Sequence, residues 1–267
     1  MTIKSLNDGG DLFRWALILI SALVLLFIVT PMASMILHTG LPELFETASD
    51  SAVQRSIGRT LAIAFISTTI FSFGAVPLAY LMARKRFPGK NLIQGIIDLP
   101  VVIPHTAAGI ALLGFLSRDS AVGRAAEWAG ISFVNNSTGI ALAMAFVSLP
   151  FMINAARDGF AAVPERLEKA AMTLGASRIR VLFTITIPLA WRSIVSGFIM
   201  MFARGMSEFG SIVIIAYHPM TAPVMIFERF NAYGLRYARP MALLFLMVSL
   251  AVFVLLRVVS KGRRLKD

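Results

Sequence analysis

The chain contains no cysteine, and its acidic residues are few: 14 Asp and Glu stand against 25 Lys and Arg. The first absence removes disulfide staples, thiolate catalysis and thiolate metal sites together. Histidine is scarce as well. His38, His105 and His218 lie far apart without ligand spacing, so no metal site is expected. The HExxH and GxSxG signatures are missing, and no catalytic residue or cofactor is expected. A phosphate-binding loop is also missing. Gly89-Lys90 fails as one because Arg84 stands where the first Gly should be and Asn91 follows the lysine. The net charge of +11 does not indicate nucleic acid, because the basic residues cluster beside apolar runs. That placement reads as loops facing anionic lipid.

Apolar residues make up 57% of the chain, and mean hydropathy is +0.78. A soluble domain holds roughly 45–50% apolar residues, so an all-α integral membrane protein is expected. Six spans are expected, at about 15–37, 60–82, 92–116, 138–154, 193–216 and 240–259, forming a single domain over residues 1–267. The first run is too long, and its preceding tail too acidic, for a cleaved signal peptide. A short helix is expected around 121–129. Pro100 and Pro104 break the third run beside Asp98 and His105, either as kinked packing or as part of a pathway lining. With the N-terminus in the cytoplasm, cytoplasmic segments would hold 17 of the Lys and Arg residues and outer segments 7, with Arg204 inside a span. This bias places both termini, and the segment 157–192, in the cytoplasm.

That segment is the polar centre of an oily chain. Around Glu165 and Glu168 it carries helix formers and charges at helical spacing. Gly175 then permits a sharp turn, and Pro188 reads as a stop. Ala170 and Ala171 keep one side slim, so another protein can approach. The spacing from Ala170-Ala171 through Gly175 to Ile185 and Pro188 resembles the signature loop of ABC-transporter permeases. Lys169 stands where that loop usually has Glu, with Glu168 one place earlier, and Ile187 replaces Leu.

Arg204 and Glu208 fall inside the fifth expected span. A start near Ser193 puts Arg204 about 17 Å deep at ~1.5 Å per residue. An isolated charge there costs roughly 2.5–3.5 kcal/mol on insertion scales. The i, i+4 spacing lets the two pair. Ser207, Gly205 and Gly210 keep the surroundings small and polar. The stretch reads as a lining or gate of a translocation path, or as a pair that only fixes helix register.

The stretches 87–90, 98–104, 204–210 and 217–222, with the signature loop, are together similar to permeases of molybdate and tungstate importers. Sulfate permeases look alike more distantly. The likeness covers about 60–259. It implies a fold like that of type I ABC importer permeases, in the cytoplasmic (inner) membrane of a bacterium or archaeon. It also implies a homodimer, two copies of an ATPase subunit docked on the loop 157–192, and an external solute-binding protein that delivers tungstate or molybdate. Loop residues Glu168, Ala170, Ala171, Gly175, Ile185 and Pro188 would carry the coupling. Arg204, Ser207, Glu208, Pro100 and Pro104 would line or gate the path. ATP would then be hydrolysed by the separate subunit. A sulfate/thiosulfate permease and an ATP-independent secondary carrier stand as the alternatives.

Overall fold

A computed structural model describes residues 5–261; the outermost ends of the expected cytoplasmic termini lie outside the described residues. Among the described residues the chain is helical throughout, without a strand. Helix α1 (Ser5–Leu37) is followed by the short α2 (Leu41–Ser49) and the long α3 (Ser51–Arg84). The latter begins well before position 60 because Asp50 caps it, accepting from the Ala52 N–H at 2.8 Å. Next come α4 (Lys90–Val102), α5 (His105–Leu116), the small α6 (Ala121–Trp128) and α7 (Ser137–Ala162). After α8 (Glu165–Thr173) and α9 (Arg178–Val181), a π-helical turn (Leu182–Thr186) leads into α10 (Ile187–Met206). The chain closes with α11 (Gly210–Ile215), α12 (Ala222–Tyr233) and α13 (Leu235–Lys261).

Among the described residues, five stretches are long and apolar enough to cross a membrane: Phe13–Leu37, Ser51–Arg84, Ser137–Ala162, Arg178–Met206 and Leu235–Ser260. A sixth is the pair α4 and α5, bent by 111°. The bend falls at Pro104 alone. Ile103 before it is extended (φ −72°, ψ 144°), as a residue preceding proline prefers. Pro100 is buried inside α4 without ending it.

The C-terminal half departs from the sequence reading in two further places. Pro188 does not stop a helix, because the chain stays helical from Arg178 to Met206. The π turn is the reason: Ile187 N–H reaches back to the Leu182 carbonyl, a wider step that accommodates a proline at the next position. The expected fifth span, 193–216, ends early at Met206, and α11 starts only at Gly210. Glu208 sits in the break and turns its carboxylate back to cap α11.

The core sits where α7 packs against α3 and α10. Small residues set the distance. A Cβ on Gly159 would lie 2.3 Å from the Ser193 Cβ, and one on Gly197 would lie 3.0 Å from the Ala155 Cβ. Such close backbone approach replaces the hydrophobic drive that lipid removes. By contrast, α1 leans on α13 and buries none of its most apolar stretch.

Candidate functional site

Helix α8 and the turn after it form a short hairpin at one end of the bundle. Gly175 closes α8 with φ +88°. Its N–H donates to the Met172 carbonyl at 3.0 Å, and the Ala176 N–H donates to the Ala171 carbonyl at 3.1 Å. This is the Schellman arrangement, which needs a left-handed residue at the position Gly175 occupies. Ser177 then caps α9 through the Arg180 N–H. Leu174, at the tip of the hairpin, is 90% exposed. Ala170 is also exposed, while Ala171 and Ile185 are half-buried. Of the expected segment 157–192, residues 157–162 belong to α7 and 187–192 to α10.

Glu168 faces inward. Its Oε1 accepts from Arg84 Nη2 at 2.7 Å, Arg84 Nε at 3.0 Å and Thr186 Oγ1 at 2.8 Å. Arg84 also donates to the Val163 carbonyl at 2.9 Å. One buried carboxylate thereby ties α8 to the end of α3 and to the π turn. The outward carboxylate of α8 is Glu165, which pairs with Lys169 at 3.0 Å across one turn. The Lys169 hydrogen bond and charge hold the Glu165 carboxyl below its usual range.

A second polar cluster lies where α10 breaks. Arg204 Nη2 meets Glu208 Oε2 at 2.9 Å. The other oxygen of Glu208 accepts from Ser211 N–H at 2.9 Å and Ser211 Oγ at 2.8 Å. His105, delivered by the Pro104 bend, completes the group, with Nδ1 at 3.3 Å from Glu208 Oε2. Arg204 Nη2 is 3.0 Å from both ring nitrogens of His105. Gly210 makes room, since a Cβ there would lie 2.6 Å from the His105 Cβ. Ser207 stays outside, exposed, and donates back to the Arg204 carbonyl at 3.0 Å. Pro100 takes part in none of these hydrogen bonds.

The sequence places His105 beside the Pro104 break but does not mark it as a neighbour of Arg204 and Glu208. Leu174 and Arg84 were also missed, since neither has a local pattern that marks it. A third network links α4 to α7. Asp98 accepts from Asn154 Nδ2 and Gln94 Nε2 at 2.7 Å each, and Gln94 Oε1 accepts from Arg157 at 2.5 Å. At the opposite end of the bundle, a cavity of about 550 Å³ is lined by Glu43, Glu46, Asp50, Arg229 and Arg236 among others.

Residues 75–264 match the family described as binding-protein-dependent transport system inner membrane component. The chain is 43% identical over 259 residues to the molybdate/tungstate transport system permease protein WtpB of Pyrococcus furiosus, covering 96% of this chain and 99% of the relative. A probable sulfate transport system permease protein from Chlorokybus atmophyticus is 31% identical over 260 residues, covering 92% and 91%. The fold matches that of a bacterial ABC transporter chain involved in alginate import, with a TM-score of 0.76 at 18% identity and 98% coverage of both chains.

Proposed function

The chain belongs to the binding-protein-dependent transport system inner membrane components, and from that premise we propose that it is the permease subunit of an ATP-driven importer that carries tungstate or molybdate into the cytoplasm. The identity with the molybdate/tungstate permease, which extends over nearly all of both chains, exceeds that with the sulfate permease and favours this substrate class.

The observation that carries the mechanism is the hairpin of α8 and α9. It projects an exposed Leu174 from a base held by the buried Glu168. A separate ATPase subunit seats this hairpin. Closure of two such ATPases on ATP draws the hairpins together, and each movement passes through Glu168 to Arg84 on α3 and through the π turn to α10. ATP hydrolysis and product release restore the resting state. The equilibrium between the two states is biased by a ligand that binds the partner. The chain itself makes and breaks no bond.

Two copies of the permease form the path. The unburied apolar length of α1 suits a second protein surface or lipid. An apolar groove of about 600 Å³ between α3 and α10, lined by Phe73, Tyr80, Trp191 and Phe198 among others, suits acyl chains. With the α8–α9 hairpin on the ATPase side, the polar cavity bearing Glu43, Asp50, Arg229 and Arg236 falls to the solute-binding protein. Arg204 and Glu208 gate the path. Co-purification tests the assignment: a tagged chain expressed with its genomic neighbours should bring down a nucleotide-binding subunit in equal number. Recovery of the chain alone, with ATP-independent uptake, would indicate a secondary carrier.

A further inference from the structure

We propose that Gln94, Asp98, Asn154 and Arg157 form a polar clasp that holds the bent span α4–α5 to α7 and positions it for transport, as a second coupling link beside Arg84–Glu168. This rests on the reading of the chain as an ATP-driven permease.

The direction of every hydrogen bond in the clasp follows from one end. Arg157 has only donors, so Gln94 meets its Nη1 with the amide oxygen, at 2.5 Å. That turns the amide nitrogen of Gln94 the other way. Its Nε2 donates to Asp98 Oδ2 at 2.7 Å and to Asn154 Oδ1 at 2.8 Å. Asn154 has then used its oxygen as an acceptor and presents Nδ2 to Asp98 Oδ1, at 2.7 Å. Two donors therefore converge on the two oxygens of Asp98. An ionised carboxylate accepts at both, whereas an amide would set its nitrogen against another donor. Arg157 is itself oriented by Asp158, through Nε at 3.1 Å and Nη2 at 2.8 Å.

Position gives the clasp its role. Asp98 lies near the end of α4 that meets the 111° bend. Asn154 and Arg157 lie on the stretch of α7 that runs to Ala162 and on into the α8 hairpin. Helix α7 is also the element that α4 packs on. Beyond the bend, His105 abuts Glu208 at the break of α10. Motion of the hairpin thus reaches the bend through α7 and the clasp, and reaches α3 and α10 through Glu168. Apolar contacts alone would hold α4 on α7 while letting it slide. A directed set of hydrogen bonds around an intramembrane carboxylate permits one register.

The order of donors and acceptors also supplies the test. Asp98→Asn opposes two amide nitrogens, and Asn154→Asp opposes two carboxylates. The exchange Asp98→Asn/Asn154→Asp restores every bond, with the one between 98 and 154 reversed. In vesicles holding permease, ATPase and binding protein, uptake of labelled molybdate is divided by ATP hydrolysed. This ratio should fall about tenfold in each single variant and return to within about twofold of native in the exchange. A native ratio in either single variant, whatever its heat stability, would reduce the clasp to packing and overturn the proposal. An exchange variant as poorly coupled as the single ones would overturn it too. Should a single variant not assemble, Gln94→Ala removes the central link and leaves Asp98 bonded to Asn154 and Arg157 to Asp158. It should lower the ratio as well, and a native ratio would contradict the proposal. Failure of the native complex to move molybdate or tungstate would instead overturn the permease reading.

Discussion

Arg84 and Glu168 lie 84 residues apart in the chain, yet their side chains meet at 2.7 Å with about a tenth of each exposed. The pair joins the end of α3 to the middle of α8, so the hairpin cannot move without pulling on a span. Removing either partner leaves the other charge buried, which costs roughly 3–5 kcal/mol. Glu168→Ala and Arg84→Ala should therefore lower the thermal stability of the purified protein and uncouple the complex, with ATP hydrolysed while uptake falls at least tenfold. Glu168→Gln keeps an acceptor for Arg84 and Thr186 and should retain more transport than Glu168→Ala. Equal transport per ATP in native and Ala variants would remove the pair from the coupling route.

Gly175 has φ +88°, and a Cβ built there meets nothing within 4 Å. The cost of a side chain is thus conformational, about 1–2 kcal/mol for a non-glycine residue in the left-handed region. Gly175→Asn should be tolerated and Gly175→Val should not. The valine variant should insert and fold but lose most stimulated ATPase activity, as measured on reconstituted complexes.

Leu174 is 90% exposed, so Leu174→Asp should leave the melting temperature of the isolated chain unchanged. Its recovery of the ATPase subunit in a pull-down should nevertheless drop by more than tenfold. Normal recovery would place the docking contact elsewhere on the hairpin.

Glu208 has more partners than Arg204, and a double-mutant cycle exploits the difference. Glu208→Ala should destabilise the chain more than Arg204→Ala, because His105 and Ser211 still satisfy Glu208 when the guanidinium is gone. A gating role requires that Arg204→Ala/Glu208→Ala remain stable and yet fail to transport or leak. Uptake recovering in step with stability would leave the pair with helix register alone.

The all-helical membrane fold was legible because long apolar runs are local signals. The spacing around Ala170, Ala171 and Gly175 was legible for the same reason. Helix ends were less so. Pro188 reads as a stop until the π turn before it is known. The break at 207–209 depends on Glu208 being buried against another helix, which periodicity does not record. Arg84 resembled an ordinary basic anchor, since its partner lies far along the chain. His105 gained its meaning only from the 111° bend that aims it at Arg204.

The most decisive measurement is uptake of labelled tungstate by vesicles holding the permease, its ATPase and its binding protein, with molybdate and sulfate as competitors. Uptake should require ATP inside the ATPase-bearing compartment. Unlabelled molybdate should suppress it at concentrations comparable to tungstate, while sulfate should need at least a hundredfold excess. Uptake that persists without ATP, or that sulfate suppresses as readily as molybdate, would contradict an ATP-driven tungstate or molybdate permease.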